Sequence, residues 1–306
     1  MDKKKRISRV ILTAGLLFLL VLGMFAAALA MAEELQMFKI ELYKKLPWRE
    51  EHVRAEETAT DYSAYPVREH SANAWYTNAR LIMHACGGID GLDYTNSREA
   101  LDSTLEKGHR LVEVDFTFSS DGMPVCVHSW SNLDSDSVMD YNTFKSHKIY
   151  GKYTTLTAED ILDYMERFPD LYIVLDTKDS MPELVRSLVS FNAPGDVMER
   201  FIIQVYAAGE KKQILDLYPF PEENFLFTAY LLGNRPGYIM SICYDEDISV
   251  VTLPYSWLSG NWHYFFDKNF VVFAHTVNRP DEMKQLFSAG IHGVYTDFLS
   301  LTDLEP

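Results

Sequence analysis

Cysteine is scarce in this chain of 306 residues, which holds only Cys86, Cys126 and Cys243. Three thiols without a C-x-x-C pair exclude a disulfide scaffold and a cysteine-built zinc site, and they predict buried free thiols. No Gly-rich phosphate loop, internal repeat or low-complexity tract interrupts the sequence. Basic charge is also short. There are 28 Lys and Arg against 44 Asp and Glu, a net charge of -16, and Lys3, Lys4, Lys5, Arg6 and Arg9 fall in the first nine positions. The rest is therefore more acidic than the whole. That balance excludes a nucleic-acid partner, because such binding draws its affinity from Lys and Arg contacts to phosphates. It does not exclude a phosphate substrate, provided a metal ion or a few local cations offset the charge.

What is present begins with an uncharged run, VILTAGLLFLLVLGMFAAALAM, from Val10 to Met31, directly after the basic cluster. At a rise of about 1.5 Å per residue it can cross a hydrocarbon core about 30 Å thick. Its length favours a retained anchor over a signal peptide, although Ala28-Leu29-Ala30 resembles a cleavage site. The expected organisation is a cytoplasmic basic segment (1–9), a transmembrane anchor (10–32), a juxtamembrane stalk (33–74) and an extracytoplasmic domain (75–306) at the cell membrane.

The domain alternates apolar runs with amphipathic stretches. Eight runs read as strands, at 81–84, 111–116, 172–176, 201–205, 225–229, 249–253, 270–275 and 293–297. Most are continuous rather than alternating, as parallel strands covered on both faces require. Between them lie helical stretches such as SREALDSTLEKG, TAEDILDYMERFP and RPDEMKQLFSAG, bounded by a cap-like Thr157, by Pro280 and by glycines. The pattern predicts an α/β fold, a TIM (β/α)8 barrel. PVCVHS (124–129) follows the second strand too closely for a crossover helix, so a short hairpin insertion over the barrel mouth is expected there. The alternative is an open doubly wound sheet, which the missing phosphate loop disfavours.

Ionisable residues collect at the carboxyl ends of these strands, where barrels of this kind carry their chemistry. His84 ends the first strand, Glu113 and Asp115 lie on the second, Asp176 ends the third with Lys178 just beyond, His128 ends the hairpin strand and Asp297 the last. Glu113 and Asp115, two apart, share one strand face. Two carboxylates held together need a cation or a proton between them. With Asp176 they form a hard oxygen set suited to one divalent cation, Mg2+ or Ca2+. An ion-pair network with Lys178 is the structural alternative. The two histidines can divide the work of base and acid near neutral pH. The cation and Lys178 would stabilise charge on phosphoryl oxygens. His109, His147, His263 and His292 fall outside these positions and read as surface or packing residues. Trp130, Tyr255 and Trp257, with Trp262, either reach substrate near the mouth or pack behind the strands.

The segment HACGGIDGLDYTNSREALDSTLEKGHRLVEVDFTFSSDGMPVCVHS resembles the glycerophosphodiester phosphodiesterase family, within the phosphatidylinositol-specific phospholipase C-like superfamily. It is similar to that family's first histidine, its Glu-Asn-Thr before a helix, its Glu-x-Asp strand, its Asp-Gly turn and its second histidine. FAHTVNRPDEMKQLFSAGIHGVYTDF resembles the closing strand, helix and Thr-Asp. The resemblance runs from about Leu81 to Leu299. It implies catalytic roles for His84 and His128, metal ligation by Glu113, Asp115 and Asp176, and phosphate contact by Lys178. Three positions depart from the family pattern. Ala85 replaces an arginine, Thr95 a metal-ligand glutamate, and Asp176 the glutamate of a later Glu-x-Lys. A Glu, Asp, Asp set followed by Lys is similar to the sphingomyelinase D-type phospholipases of the wider superfamily. The resemblance therefore implies a metal-dependent phosphodiesterase acting on a glycerophosphodiester or phospholipid-type head group, by hydrolysis or by way of a cyclic phosphate. Ala85 and Thr95 motivate one alternative, a catalytically degenerate barrel serving as a membrane-tethered binding module. A metal-free phosphatidylinositol lyase on the same barrel is disfavoured by the acidic trio.

Overall fold

The structure, a computed structural model, describes residues 62–229, 232–233, 235–257 and 262–305. The expected transmembrane segment and most of the expected stalk lie outside the described residues. Among the described residues no helix is long and apolar enough to cross a membrane.

Twelve strands are described, numbered here in chain order. β1 (Leu81–Met83) and β2 (Leu111–Phe118) are followed by a side group of β3 (Pro124–Cys126), β4 (Lys148–Ile149), β5 (Tyr153–Thr154) and β6 (Leu156–Thr157). Then come β7 (Tyr172–Thr177), β8 (Phe201–Val205), β9 (Phe225–Thr228), β10 (Val250–Pro254), β11 (Val271–His275) and β12 (Gly293–Thr296). The parallel order β1-β12-β11-β10-β9-β8-β7-β2 closes on itself, because β1 also pairs with β2. All eight barrel strands lie where the apolar runs placed them. The expected hairpin exists too: β3 runs antiparallel to the far end of β2, Phe116 opposite Cys126, and β6 extends it.

Helices Arg98–Glu106, Ala158–Arg167 and Pro280–Ser288 occupy the amphipathic stretches read from the sequence. Thr157 and Asp160 form a reciprocal capping box at the start of the second, which satisfies amides that the first turn leaves orphaned. The three cysteines are free and buried.

Alternation along each strand divides the core in two. On β2, Val112, Val114 and Phe116 face the layer shared with the helices, whereas Leu111 faces the barrel interior with Ile82, Val174, Ile202, Leu226, Val250 and Phe273. The same alternation sends Glu113 and Asp115 inward, above Leu111. The interior is thus apolar at its amino end and polar at its carboxyl end.

Residues 62–74, which the sequence reading assigned to the stalk, pack against the barrel. Tyr62 stacks on Tyr264 at 3.9 Å, Tyr65 stacks on Tyr244 at 4.4 Å, and Arg68 donates to the Cys243 carbonyl at 2.7 Å. Ala74 and Tyr76 join the interior core at the amino end of the barrel. Aromatic contact area holds this segment to the barrel, a signal that its polar composition masks.

Candidate active site

Pairing register builds the centre of the site. β2 and β7 pair in parallel with Asp115 opposite Asp176 and Glu113 opposite Val174. Neighbouring strands lie about 4.8 Å apart, so two inward carboxylates in register stand side by side. Glu113, Asp115 and Asp176 are all buried and can each offer an oxygen within 4.8 Å of the others. Each of the three is pushed up from its ordinary pKa by burial first; acidic neighbours add to the rise at Glu113 and Asp176, whereas at Asp115 His84, Asn96 and Lys178 oppose it. Glu113 lies well above the usual range, and Asp176 rises to about 6. Glu113 Oε1 is buried with no hydrogen-bond partner among the described residues. Such a group is costly to leave unsatisfied. A hard divalent cation fits this donor set, satisfying the orphaned oxygen and removing the repulsion.

The other oxygen of Glu113 accepts from the Ala85 backbone amide at 2.7 Å. Ala85 sits in the left-handed region, with φ 48°. The chain after β1 therefore turns so that its amide, not its side chain, meets the acidic centre. Asn96 supports the centre from the opposite side. Its Nδ2 donates to Asp115 Oδ2 at 2.8 Å, and its Oδ1 accepts from the Asp115 backbone amide at 3.0 Å. β1 reaches β2 only at Val112 and β3 only from Phe116. Asn96 thus serves the strand edge in the gap between two partners. Thr95, by contrast, is fully buried and bonds to Ser97 Oγ at 3.1 Å, away from the trio.

His84 Nδ1 lies 2.8 Å from Asp297 Oδ1, and its Nε2 lies 4.0 Å from Glu113 Oε2. Burial disfavours its charged form. Asp297, Asp115 and Asp176 outweigh that effect and raise its pKa. His128 behaves oppositely: burial, then Lys178 and His84, push it down to about 4. Lys178 Nζ lies 2.7 Å from His128 Nε2. An ammonium can only donate, so this nitrogen accepts and the ring proton resides on Nδ1. The Tyr94 ring stands between the histidines, 4.6 Å from His84 and 4.4 Å from His128, centre to centre. A cavity of about 330 Å3 is lined by these residues together with Gln204, His275, Thr276 and Tyr295.

The structure thus brings together His84, His128, Glu113, Asp115, Asp176 and Lys178. It does not bring in the aromatics. Trp130 packs edge-on against Phe144 in a satellite core. Trp257 packs on the main core and stacks on the buried Trp262. Tyr255 is exposed in the turn after β10. None of the three lines the cavity. A large ring gains most by burying its area, and here the helices and the insertion provide the cover. Among the other histidines, His109 is buried rather than superficial, and His147 and His292 bond to backbone carbonyls. Sequence reasoning missed Tyr94, Gln204, His275 and Tyr295. His275 carried the same strand-end signal as His84 and was legible. Tyr206, which donates to Asp176, follows β8 and carried none.

Residues 88–182 match the profile of the Glycerophosphoryl diester phosphodiesterase family. That part of the barrel is similar to this family. The enzyme class is accordingly that of a glycerophosphodiester phosphodiesterase-like phosphoric diester hydrolase. Solved structures of the phosphodiesterase family share the fold. One is an Oleispira antarctica phosphodiesterase in complex with the product sn-glycerol-3-phosphate, at 17% identity and a TM-score of 0.59, covering 72% of this chain and 93% of that one. Another is a glycerophosphodiester phosphodiesterase from Thermotoga maritima, at 19% identity and a TM-score of 0.53, covering 75% and 96%. A third, from Parabacteroides distasonis, stands at 16% identity and a TM-score of 0.57, covering 72% and 93%. No curated protein matches the sequence.

Proposed function

We propose that the cavity at the carboxyl ends of the strands cleaves a glycerophosphodiester or phospholipid-type head group. In this reading His84 and His128 move the protons, beside one divalent cation, Mg2+ or Ca2+, held by Glu113, Asp115 and Asp176. The observation that carries it is convergence. Three buried carboxylates, one with an orphaned oxygen, share a single cavity with two histidines drawn from distant parts of the chain. When bound, the cation would offset charge on the phosphoryl oxygens.

The protein's own groups supply the remainder. One imidazole removes the proton from the attacking hydroxyl, and the other protonates the leaving oxygen. A water as attacker gives hydrolysis; a neighbouring substrate hydroxyl gives a cyclic phosphate. Asp297 holds His84 through Nδ1 and leaves Nε2 on the Glu113 side. Lys178 supplies a positive charge beside His128. The product in the Oleispira antarctica structure supports a glycerol phosphodiester as the substrate class.

The test is turnover of a phosphodiester panel with Mg2+, Ca2+ and chelator. His84→Ala and His128→Ala should each abolish turnover, and chelation should do the same. Full activity in either variant overturns the assignment. A protein that binds the panel without cleaving it is a binding module, the reading that Ala85 and Thr95 favour. We also propose that the chain is a single-pass membrane protein with this domain outside, from the uncharged run 10–31 behind five basic residues. Protease protection of the carboxyl terminus in right-side-out cells would defeat that orientation.

A further inference from the structure

The neighbouring strands β1, β12 and β11 start side by side at the amino end of the barrel, the end away from the catalytic cavity. Arg80 immediately precedes β1, His292 precedes β12 and Phe270 precedes β11. Pairing holds them there. The Arg80 carbonyl accepts from the Val294 amide at 2.9 Å, and the His292 amide donates to the Val272 carbonyl at 2.9 Å. With the segment from His70 to Thr77 they border a cavity of about 540 Å3. Arg80, His70, His292 and Asn269 form its polar side, and Phe266, Phe270 and Phe287 its apolar side.

The charge here is the reverse of the chain's average. The sequence has 44 Asp and Glu against 28 Lys and Arg, yet among the described residues no Asp or Glu lines this cavity. Arg80 lacks a counter-ion. Its Nε is buried with no hydrogen-bond partner among the described residues, and burial alone pulls its pKa down. The guanidinium carbon lies 4.1 Å from the centre of the Phe287 ring. The nearest candidate partners are engaged elsewhere. Asp170 borders Arg80 in a separate cavity and pairs with Arg110 Nε at 3.0 Å. Glu69 and Glu223 line another cavity with Arg68. The histidines are fixed by bonds of their own. His70 Nδ1 lies 3.0 Å from the Tyr76 hydroxyl and its Nε2 lies 2.5 Å from the Asn269 carbonyl, while His292 Nε2 lies 2.7 Å from the Tyr76 carbonyl. Burial first, and then the charges of Arg80 and His70, push His292 below its ordinary pKa against the pull of that carbonyl. A partly desolvated cation without a partner is costly, and an oxyanion beside it offsets the cost.

We propose that this cavity is a second ligand site, in which the Arg80 guanidinium takes a phosphate oxyanion and the phenylalanine rings take the group attached to it. The planar guanidinium presents paired donors that match two phosphoryl oxygens. Its seat on Phe287 orders the side chain before the ligand arrives, which lowers the entropy lost on binding. Soluble phosphates and anionic lipid head groups carry the same oxyanion. The site stands apart from the catalytic cavity and does not rest on the phosphodiesterase reading.

The test uses the full-length protein in neutral detergent with chelator, so that phosphate does not bind through a cation in the catalytic cavity. Calorimetric titration with inorganic phosphate and with soluble, short-chain dihexanoyl phosphatidic acid measures binding. At least one should bind at about one equivalent, and Arg80→Gln should weaken it roughly tenfold or more, the size of one lost charge-assisted hydrogen bond. Arg80→Lys keeps the charge without the fork and should fall between. Lys178→Ala, in the catalytic cavity, should leave this binding unchanged. Phosphatidic acid binding more tightly than phosphate supports a lipid head group as the occupant, and equal affinities support a soluble phosphate. Where Arg80→Gln melts below the unmodified protein, Arg80→Lys decides. Binding of neither ligand, or an affinity that the Arg80 variants leave unchanged, overturns the proposal.

Discussion

His84 Nδ1 and Asp297 Oδ1 lie 2.8 Å apart although 213 positions separate them in sequence. The β1–β12 pairing that closes the barrel brings them together, with Met83 opposite Thr296. Asn278 holds Asp297 in turn. Its Nδ2 donates to Asp297 Oδ2 at 2.7 Å, and its Oδ1 accepts from the Asp297 amide at 2.8 Å. A carboxylate at Nδ1 fixes the tautomer and orientation of an imidazole. Asp297→Asn should therefore lower kcat by about 10–100-fold with little change in KM. Its thermal midpoint should stay near that of the unmodified protein. An unchanged kcat would remove Asp297 from the mechanism.

The repulsion in the acidic trio predicts a separation of stability from activity. Without a divalent cation, Glu113, Asp115 and Asp176 oppose one another in a buried place. Glu113→Gln keeps the bond from Ala85 and removes one charge. In chelator at pH 7 this variant should melt about 2–4 °C above the unmodified protein, the shift expected of ~1 kcal/mol in a domain of this size. Added Mg2+ or Ca2+ should raise the melting point of the unmodified protein and not that of Glu113→Gln. Calorimetric melting curves with and without cation check both statements.

Asn96→Ala should cost more than an ordinary surface change. It leaves the Asp115 amide without a partner in the gap between β1 and β3 and frees the Asp115 carboxylate. Losing a buried polar partner costs about 1–3 kcal/mol. Denaturant unfolding measures that loss. A parallel fall in affinity for the divalent cation would show that Asn96 also orients Asp115.

Acid should weaken the fold through His109, remote from the cavity. This side chain is buried, and burial first, then Lys107 and Arg110, push its pKa down to about 4. The folded state thus holds it neutral while the unfolded chain titrates near 6.5. Its stabilising contribution is fully present above about pH 6.5 and is lost progressively as pH falls towards 4, on the order of 2 kcal/mol in all. His109→Gln should flatten unfolding free energy against pH across that window. An unchanged slope would place the acid sensitivity elsewhere.

Much of this was legible in the chain itself. Most of the eight barrel strands are continuous apolar runs, as strands covered on both faces have to be. The capping box at Thr157 is written in adjacent residues, and so is the spacing that sends Glu113 and Asp115 to one face. Residues 62–74 were not legible as part of the domain, because Tyr62, Tyr65 and Arg68 are held by partners about 175 or more positions away. Trp130 and Trp257 were ambiguous in the sequence for the same reason. An aromatic ring beside a strand end is compatible with substrate or with packing until its neighbours are known.

Local periodicity, a property of nearest neighbours along the chain, determined the strands, the helices and the inward direction of the acidic pair. Only tertiary structure decided that Asp176 stands in register with Asp115, that Asp297 meets His84, and that Tyr94 lies between the histidines. Those are contacts across barrel closure and strand pairing. Their geometry is set by the packing of the whole barrel and leaves no repeat in the sequence.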